Sequence, residues 1–172
     1  SSLSVYNPIY CCLDKVPECF RKGNGDMLHF SWTSAFWINN WVANQVYARY
    51  SLLYPDVKRV QTEIEDGYEA NQPLIEAQAL RLYEDNPAKA VRLLSDYSNL
   101  SAEHATARYK KLGEYLLMKY MDGRMKNEDN GQFAKTPAGY PASPASPGYN
   151  EEYYQKVVEA DTTQHLRIRE VK

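Results

Sequence analysis

Apolar and polar positions along the chain divide into blocks with different periods. Residues 1–13 are β-branched and aromatic around Pro8 and read as a strand, with the proline favouring an edge or a bulge. The turn signal "GNGD" follows at 23–26. From 34 to 126 the period becomes helical. A first helix is expected over about 34–51. A second should begin at Pro55, with Asp56 beside it against the helix dipole, and carry Val57, Val60, Ile64, Gly67, Tyr68 and Asn71 on one face. Pro73 predicts a kink or short break near 70–73 before the helix resumes to about Asp85. Asn86 and Pro87 read as the cap and first position of a third helix. A fourth is expected from about Ser101 to Asp122, with Ala105, Tyr109, Leu112, Leu116 and Tyr120 as its stripe and Gly123 at its end.

Residues 127–149 hold much of the chain's proline and glycine and read as a surface loop without regular elements. Over 150–172, Asn150 should cap a short helix at 151–160, and "HLRIREV" alternates like a last strand. The expected fold class is therefore α+β, helix-rich, with a strand at each end of a single domain or fragment. Two strands alone are marginal in water, so they must pair with each other or complete a sheet formed elsewhere. No fixed-period repeat links the helices.

Composition changes this picture little. The 172 residues are 44 % hydrophobic and 24 % charged, ordinary for a globular chain, with tyrosine abundant at 15. A net charge of −2 disfavours nucleic acid and acidic membranes as partners. No apolar run reaches the ~18 residues of a membrane span. The chain opens on Ser1 and enters the first strand at once, which suggests a piece of a longer protein. Cys11, Cys12 and Cys19 are odd in number, two are adjacent, and none has zinc spacing, so they read as buried or free thiols and leave the compartment undecided. "GNGD" lacks the residues of a phosphate loop. His29, His104 and His165 stand apart, with no carboxylate or cysteine at ligand spacing. "NLS" at 99–101 fits a glycosylation sequon.

Four stretches together, "SVYNPIY", "VPECF", "FSWTSAFWINNWVANQVYARY" and "YPDVKRVQTEIE", resemble the C-terminal part of the dipeptidase A family, N-terminal-nucleophile hydrolases related to choloylglycine hydrolase and penicillin V acylase. The likeness runs from about residue 3 to the last strand. Its centre is "AFWINNWVAN", where the family helix reads close to A-F-W-V-F-N-x-V-x-N. Asn40 and Asn44 match that pattern, and Asn39 departs from it. The resemblance implies a four-layer αββα fold and hydrolysis of dipeptides by a cysteine that becomes residue one after processing, with its own α-amine as base. The family's Cys-Thr-x-hydrophobic nucleophile segment has no counterpart here. The implied role is thus the non-catalytic C-terminal portion of a cysteine dipeptidase, with the N-terminal catalytic half of the same protein and a dipeptide as partners, no cofactor, and a homo-oligomer left open. Apolar surface around Tyr6, Ile9 and Trp37 is where that half should dock.

Candidate substrate-binding residues are Tyr6, Trp32 and Asn40, each with core or interface packing as the alternative. On a helix Asn40 and Asn44 lie one turn apart beside Trp37 and Trp41. Buried amides need partners, so both are expected to clamp loop or strand backbone. The competing class is a Tyr-rich helical module that binds a protein or peptide. A self-contained metal or cysteine enzyme fails for want of a ligand cluster or a Cys/His pair.

Overall fold

The computed structural model describes residues 3–5, 8–10, 16–21, 23–145 and 151–161. It divides into two compact units, Ser1–Leu117 and Met118–Lys172. Helices dominate. α1 spans Ala35–Ala48, α2 Tyr50–Asp85, α3 Pro87–Lys119 and α4 Glu151–Ala160, with single 3-10 turns at Glu18–Phe20 and Met121–Gly123.

α1 begins after the buried Ser34, whose carbonyl accepts the first helical bond from Ile38 N. It ends at Arg49, whose non-helical φ of −151° and ψ of 61° turn the chain straight into α2. The Arg49 carbonyl then accepts from both Leu52 N and Leu53 N. α2 therefore starts at Tyr50, one turn before Pro55. The proline is tolerated inside the helix because the carbonyl it leaves unserved, on Ser51, sits at an exposed residue.

Pro73 does not interrupt α2 either, contrary to the expected break. Its surroundings explain this. Residues 69–74 are exposed except for the half-buried Gln72, so water serves the carbonyl that loses its partner. At 36 residues α2 is about 54 Å long. Asn86 caps α3 as expected: its Oδ1 accepts from Lys89 N at 3.1 Å, and Pro87 opens the helix. The one-residue link makes α2 and α3 an antiparallel hairpin. The expected third and fourth helices are one element, because nothing near Ser101 stops it. Ser98 and Asn99 donate to carbonyls four residues back instead of breaking the ladder.

The core of the first unit is built from three stripes. α1 contributes Ile38, Val42 and Val46, all fully buried; α2 contributes Leu53, Val57, Val60, Ile64 and Tyr68; α3 contributes Ala102, Ala105, Tyr109, Leu112 and Leu116. Gly67 and Asn71, expected on the α2 face, lie off it.

The strand expected at the start is not formed in the described residues 3–5 and 8–10. Their backbone is held by helix side chains instead. Tyr109 Oη donates to Leu3 O at 3.0 Å, Gln61 Nε2 to Ser4 O at 2.9 Å, and Tyr10 N to Ser98 Oγ at 3.2 Å. The last strand, over 165–171, lies outside the described residues.

The second unit contains the one described sheet, a two-stranded antiparallel hairpin. β1 is Glu128–Asp129 and β2 Gln132–Phe133, joined by Asn130 and Gly131 at φ 49° and 74°. That is a type I′ turn, and residues 127–149 are thus not free of regular structure as expected. "DNGQ" is the signal that marks it. Backbone bonds between Met125 and Ala145 close the segment further out. α4 matches its expected span and buries none of its residues. No helix among the described residues is long and apolar enough to cross a membrane.

Candidate functional site

Residues 18–21 and 23–34 belong to a braced loop leading into α1. Asn24 is its hub. Its amide donates to Glu18 O at 3.1 Å and Thr33 O at 3.2 Å, while its oxygen accepts from Ser31 Oγ at 3.1 Å and Thr33 Oγ1 at 2.5 Å. One side chain thus ties both arms of the loop. Gly25 is required beside it: φ is +95°, and a Cβ would lie 2.9 Å from Ser31 Cβ and 3.0 Å from Trp37 Cδ1.

Asp26 closes the tip. Its Oδ1 accepts from Leu28 N at 2.8 Å and His29 N at 2.9 Å, and the His29 ring Nδ1 lies 2.8 Å away. These bonds, the Leu28 amide first and the imidazole next, hold the carboxyl below the usual aspartate value. His29 therefore does have a carboxylate partner, three residues back. A turn closed by the Leu28 and His29 amides folds the two together, which linear spacing does not show. No group of three or more His, Cys, Asp or Glu that could hold a metal ion occurs among the described residues.

Five rings join this loop to α1. Phe30 meets Trp32 edge-on with centroids 4.6 Å apart, and Trp37 at 5.5 Å. Trp32 in turn meets Trp41 edge-on at 4.9 Å, and Phe36 meets Trp37 at 5.2 Å. Trp37 Nε1 donates to Asp26 O and His29 O, both at 2.8 Å. Trp41 lies on Gly113 of α3, where a Cβ would sit 2.6 Å from Trp41 Cε3. Gln45 Nε2 donates to Gly113 O at 3.3 Å across the same approach.

A cavity of about 330 Å³ opens beside the loop, lined by Cys19, Arg21, Gly25, Asp26, Met27 and Phe36 among others. Cys19 is buried with Ala35 and Ala102. Burial pushes its thiol up, against a weaker opposite pull from a Thr106 hydrogen bond, so the nucleophilic thiolate is disfavoured. The rim is apolar and open: Met27, Leu28, Phe30, Trp32 and Phe36 are all exposed, Leu28 to 89 %.

The structure separates the sequence-derived candidates. Tyr6 lies outside the described residues, as do Cys11, Cys12 and His165. Trp32 is exposed on the aromatic rim. Asn40 is half-buried, and its amide donates to Phe36 O at 2.7 Å within its own helix. Asn39 does the same toward Ala35 O, and Asn44 is exposed. The expected clamps to distant backbone are thus made by Gln45, Gln61 and Tyr109, whose longer side chains reach another element; asparagine inside a helix finds the carbonyl four residues back first. Ile9 is 43 % exposed, but Trp37 is half-buried with its N–H satisfied. The sequon fails on access: Asn99 is buried with its amide bonded to Ser95 O at 2.8 Å, and Ser101 is buried as well.

Residues 1–63 match the family model of peptidase family C69. The match is consistent with a dipeptidase-family fragment and supports a peptidase-related function at the family level. It includes the braced loop, the aromatic rim and all of α1, and it ends within α2, short of the extent suggested by the sequence motifs. No curated protein and no solved structure matches the chain.

Proposed function

We propose that this chain is the C-terminal, non-catalytic portion of a cysteine dipeptidase of the N-terminal-nucleophile class, with the αββα fold completed by a catalytic half that carries the nucleophile. The match of residues 1–63 to peptidase family C69 carries this proposal. The state of Cys19 supports it. Peptide hydrolysis by such an enzyme needs an accessible thiolate, a base within ~2.6–3.2 Å and oxyanion donors. Cys19 is buried, held neutral, and has no imidazole among its partners.

In this reading the loop at 23–36 is the substrate-side contribution. Its rigid bracing presents Trp32 and its neighbours as an apolar wall with Asp26, His29 and Arg21 near the cavity mouth. Trp32, Asn40 and Tyr6 contribute to the dipeptide pocket, and Met27, Leu28, Ile9 and Phe36 face the catalytic half.

The test is hydrolysis of a dipeptide panel by the 172-residue chain, by the catalytic half, and by the two combined. Activity is expected only on combination, and Trp32→Ala should raise KM there. Turnover by the 172-residue chain alone, abolished by Ser1→Ala or Cys19→Ser, overturns the proposal.

A further inference from the structure

The chain contains two Asn-Gly pairs, Asn24–Gly25 and Asn130–Gly131. This dipeptide carries a reaction of its own. The glycine amide nitrogen, once it gives up its proton, attacks the asparagine Cγ. The new N–Cγ bond closes a five-membered succinimide, and the side-chain nitrogen leaves as ammonia. Water then adds to one of the two ring carbonyls and breaks its bond to the ring nitrogen. Opening at Cγ leaves aspartate. Opening at the backbone carbonyl leaves isoaspartate, whose main chain runs through Cβ and Cγ. The balance is one water taken up and one ammonia released, with no other reactant. Glycine permits the attack because no Cβ shields its nitrogen.

The fold treats the two pairs differently. Asn24 is pinned at both side-chain polar atoms, and Gly25 is hemmed in by Ser31, Ser34 and Trp37. The Asn24 Cγ has no freedom to swing onto the Gly25 nitrogen, and its leaving nitrogen is tied to two carbonyls. Asn130 and Gly131 form the tip of the β1–β2 hairpin. Both are exposed, and nothing lies within 4 Å of the position a Gly131 Cβ would take. No side-chain hydrogen bond holds Asn130 among the described residues. The left-handed turn, with Asn130 at φ 49°, points the glycine nitrogen away from Cγ, so the attack waits for the turn to open. Opening is easy here. Each strand has two residues and neither strand buries one, and a pairing of that size is marginal in water.

We propose that Asn130–Gly131 is a self-modification site, at which the folded chain deamidates to aspartate and isoaspartate while Asn24–Gly25 stays intact. Either product adds a negative charge next to Glu128 and Asp129. The isoaspartyl form also releases the hairpin, because its extra backbone carbon destroys the two-residue turn that sets the Glu128–Phe133 register.

Ageing the full 172-residue chain in warm, mildly alkaline buffer tests this, with peptide mapping by mass spectrometry. In the folded chain, residues 127–135 should gain one mass unit and split into aspartyl and isoaspartyl species, at least about tenfold faster than any change at Asn24. In urea the two sites should react at similar rates, since both are Asn-Gly. Ala134 N donates to Asn127 O at 2.8 Å across the hairpin. Its amide exchange should quicken in the isoaspartyl form and not in fresh Asn130→Asp, which adds the charge without the extra carbon. The proposal is overturned if Asn130 stays intact in the folded chain, if it reacts no faster there than Asn24, or if urea leaves the difference between the two sites unchanged. It is equally overturned if Ala134 keeps its protection in the isoaspartyl form.

Discussion

The loop at 23–36 and the tip of the α2–α3 hairpin both expose large apolar side chains, yet they are built in opposite ways. The loop has almost no regular backbone and is held in place by polar atoms: Asn24 joins its arms, Asp26 closes its tip, and Trp37 anchors it to α1. The tip is regular helix throughout and is held by backbone bonds within each limb, with little side-chain burial between them. Exposure means something different in each. A braced loop keeps its rings in one arrangement before anything binds, which lowers the ordering cost of binding. A helical hairpin gets its shape locally and keeps its apolar side chains open without needing a braced core there.

The two helical glycines test this contrast most strongly. Gly113→Ala puts a methyl into the Trp41 ring, which is pinned between Trp32 and α3. Overpacking of this kind costs about 1–3 kcal/mol or more, and thermal melting should fall by roughly 4–10 °C. Gly67→Ala meets open space on α2, so the better helix propensity of alanine should raise stability by about 0.5–1 kcal/mol. A rise with Gly113→Ala would mean that Gly113 is not a close-approach site.

Tyr109→Phe comes next. The hydroxyl is buried and donates to Leu3 O, so its loss removes a buried hydrogen bond. About 1–2 kcal/mol of destabilisation in urea melts is expected, along with earlier proteolysis of the first residues. Trp37→Phe keeps a ring in the aromatic series but removes the donor to Asp26 O and His29 O. The expected loss is about 0.5–1 kcal/mol, and amide exchange should quicken over 26–33 and not in α2.

How far the sequence foretold this structure depended on the range of the interaction involved. The Asn86–Pro87 junction, the span of α4 and the stripe Ala105, Tyr109, Leu112, Leu116 were readable because cap chemistry and helical period act within a few residues. Pro73 stays within α2 against the sequence expectation, because the cost of a helical proline depends on whether its orphaned carbonyl reaches water, which only the fold decides. The hairpin at Asn130–Gly131 carried its own signal, submerged in a Pro/Gly-rich stretch. In the candidate site, the exposed aromatic character of Trp32 is legible from residue type alone. Asn24 and Asp26 carry no such signal, because their partners lie scattered over the loop and a hub of that kind has no period.

The smallest expected effect concerns Asp26, and it separates a loop braced by hydrogen bonds from one braced by rings alone. Its carboxyl is held below the usual aspartate value chiefly by the Leu28 amide and then by the His29 ring. A group whose pKa is depressed in the folded state contributes stability while it is ionised in both states. That contribution is complete above the ordinary aspartate range and disappears as pH falls through the depressed folded value. Acid should therefore loosen the tip before the helices respond. The measurement is amide exchange at Leu28 and His29 on lowering pH, corrected for the intrinsic pH dependence of exchange. Their protection should fall on the acid side, while amides in α1 stay protected. Asp26→Asn should abolish the acid-linked change and leave only weaker neutral hydrogen bonds at every pH. If the wild-type tip kept its protection through the acid range, the Trp37 contacts alone would be holding it, and the loop would owe its order to its rings.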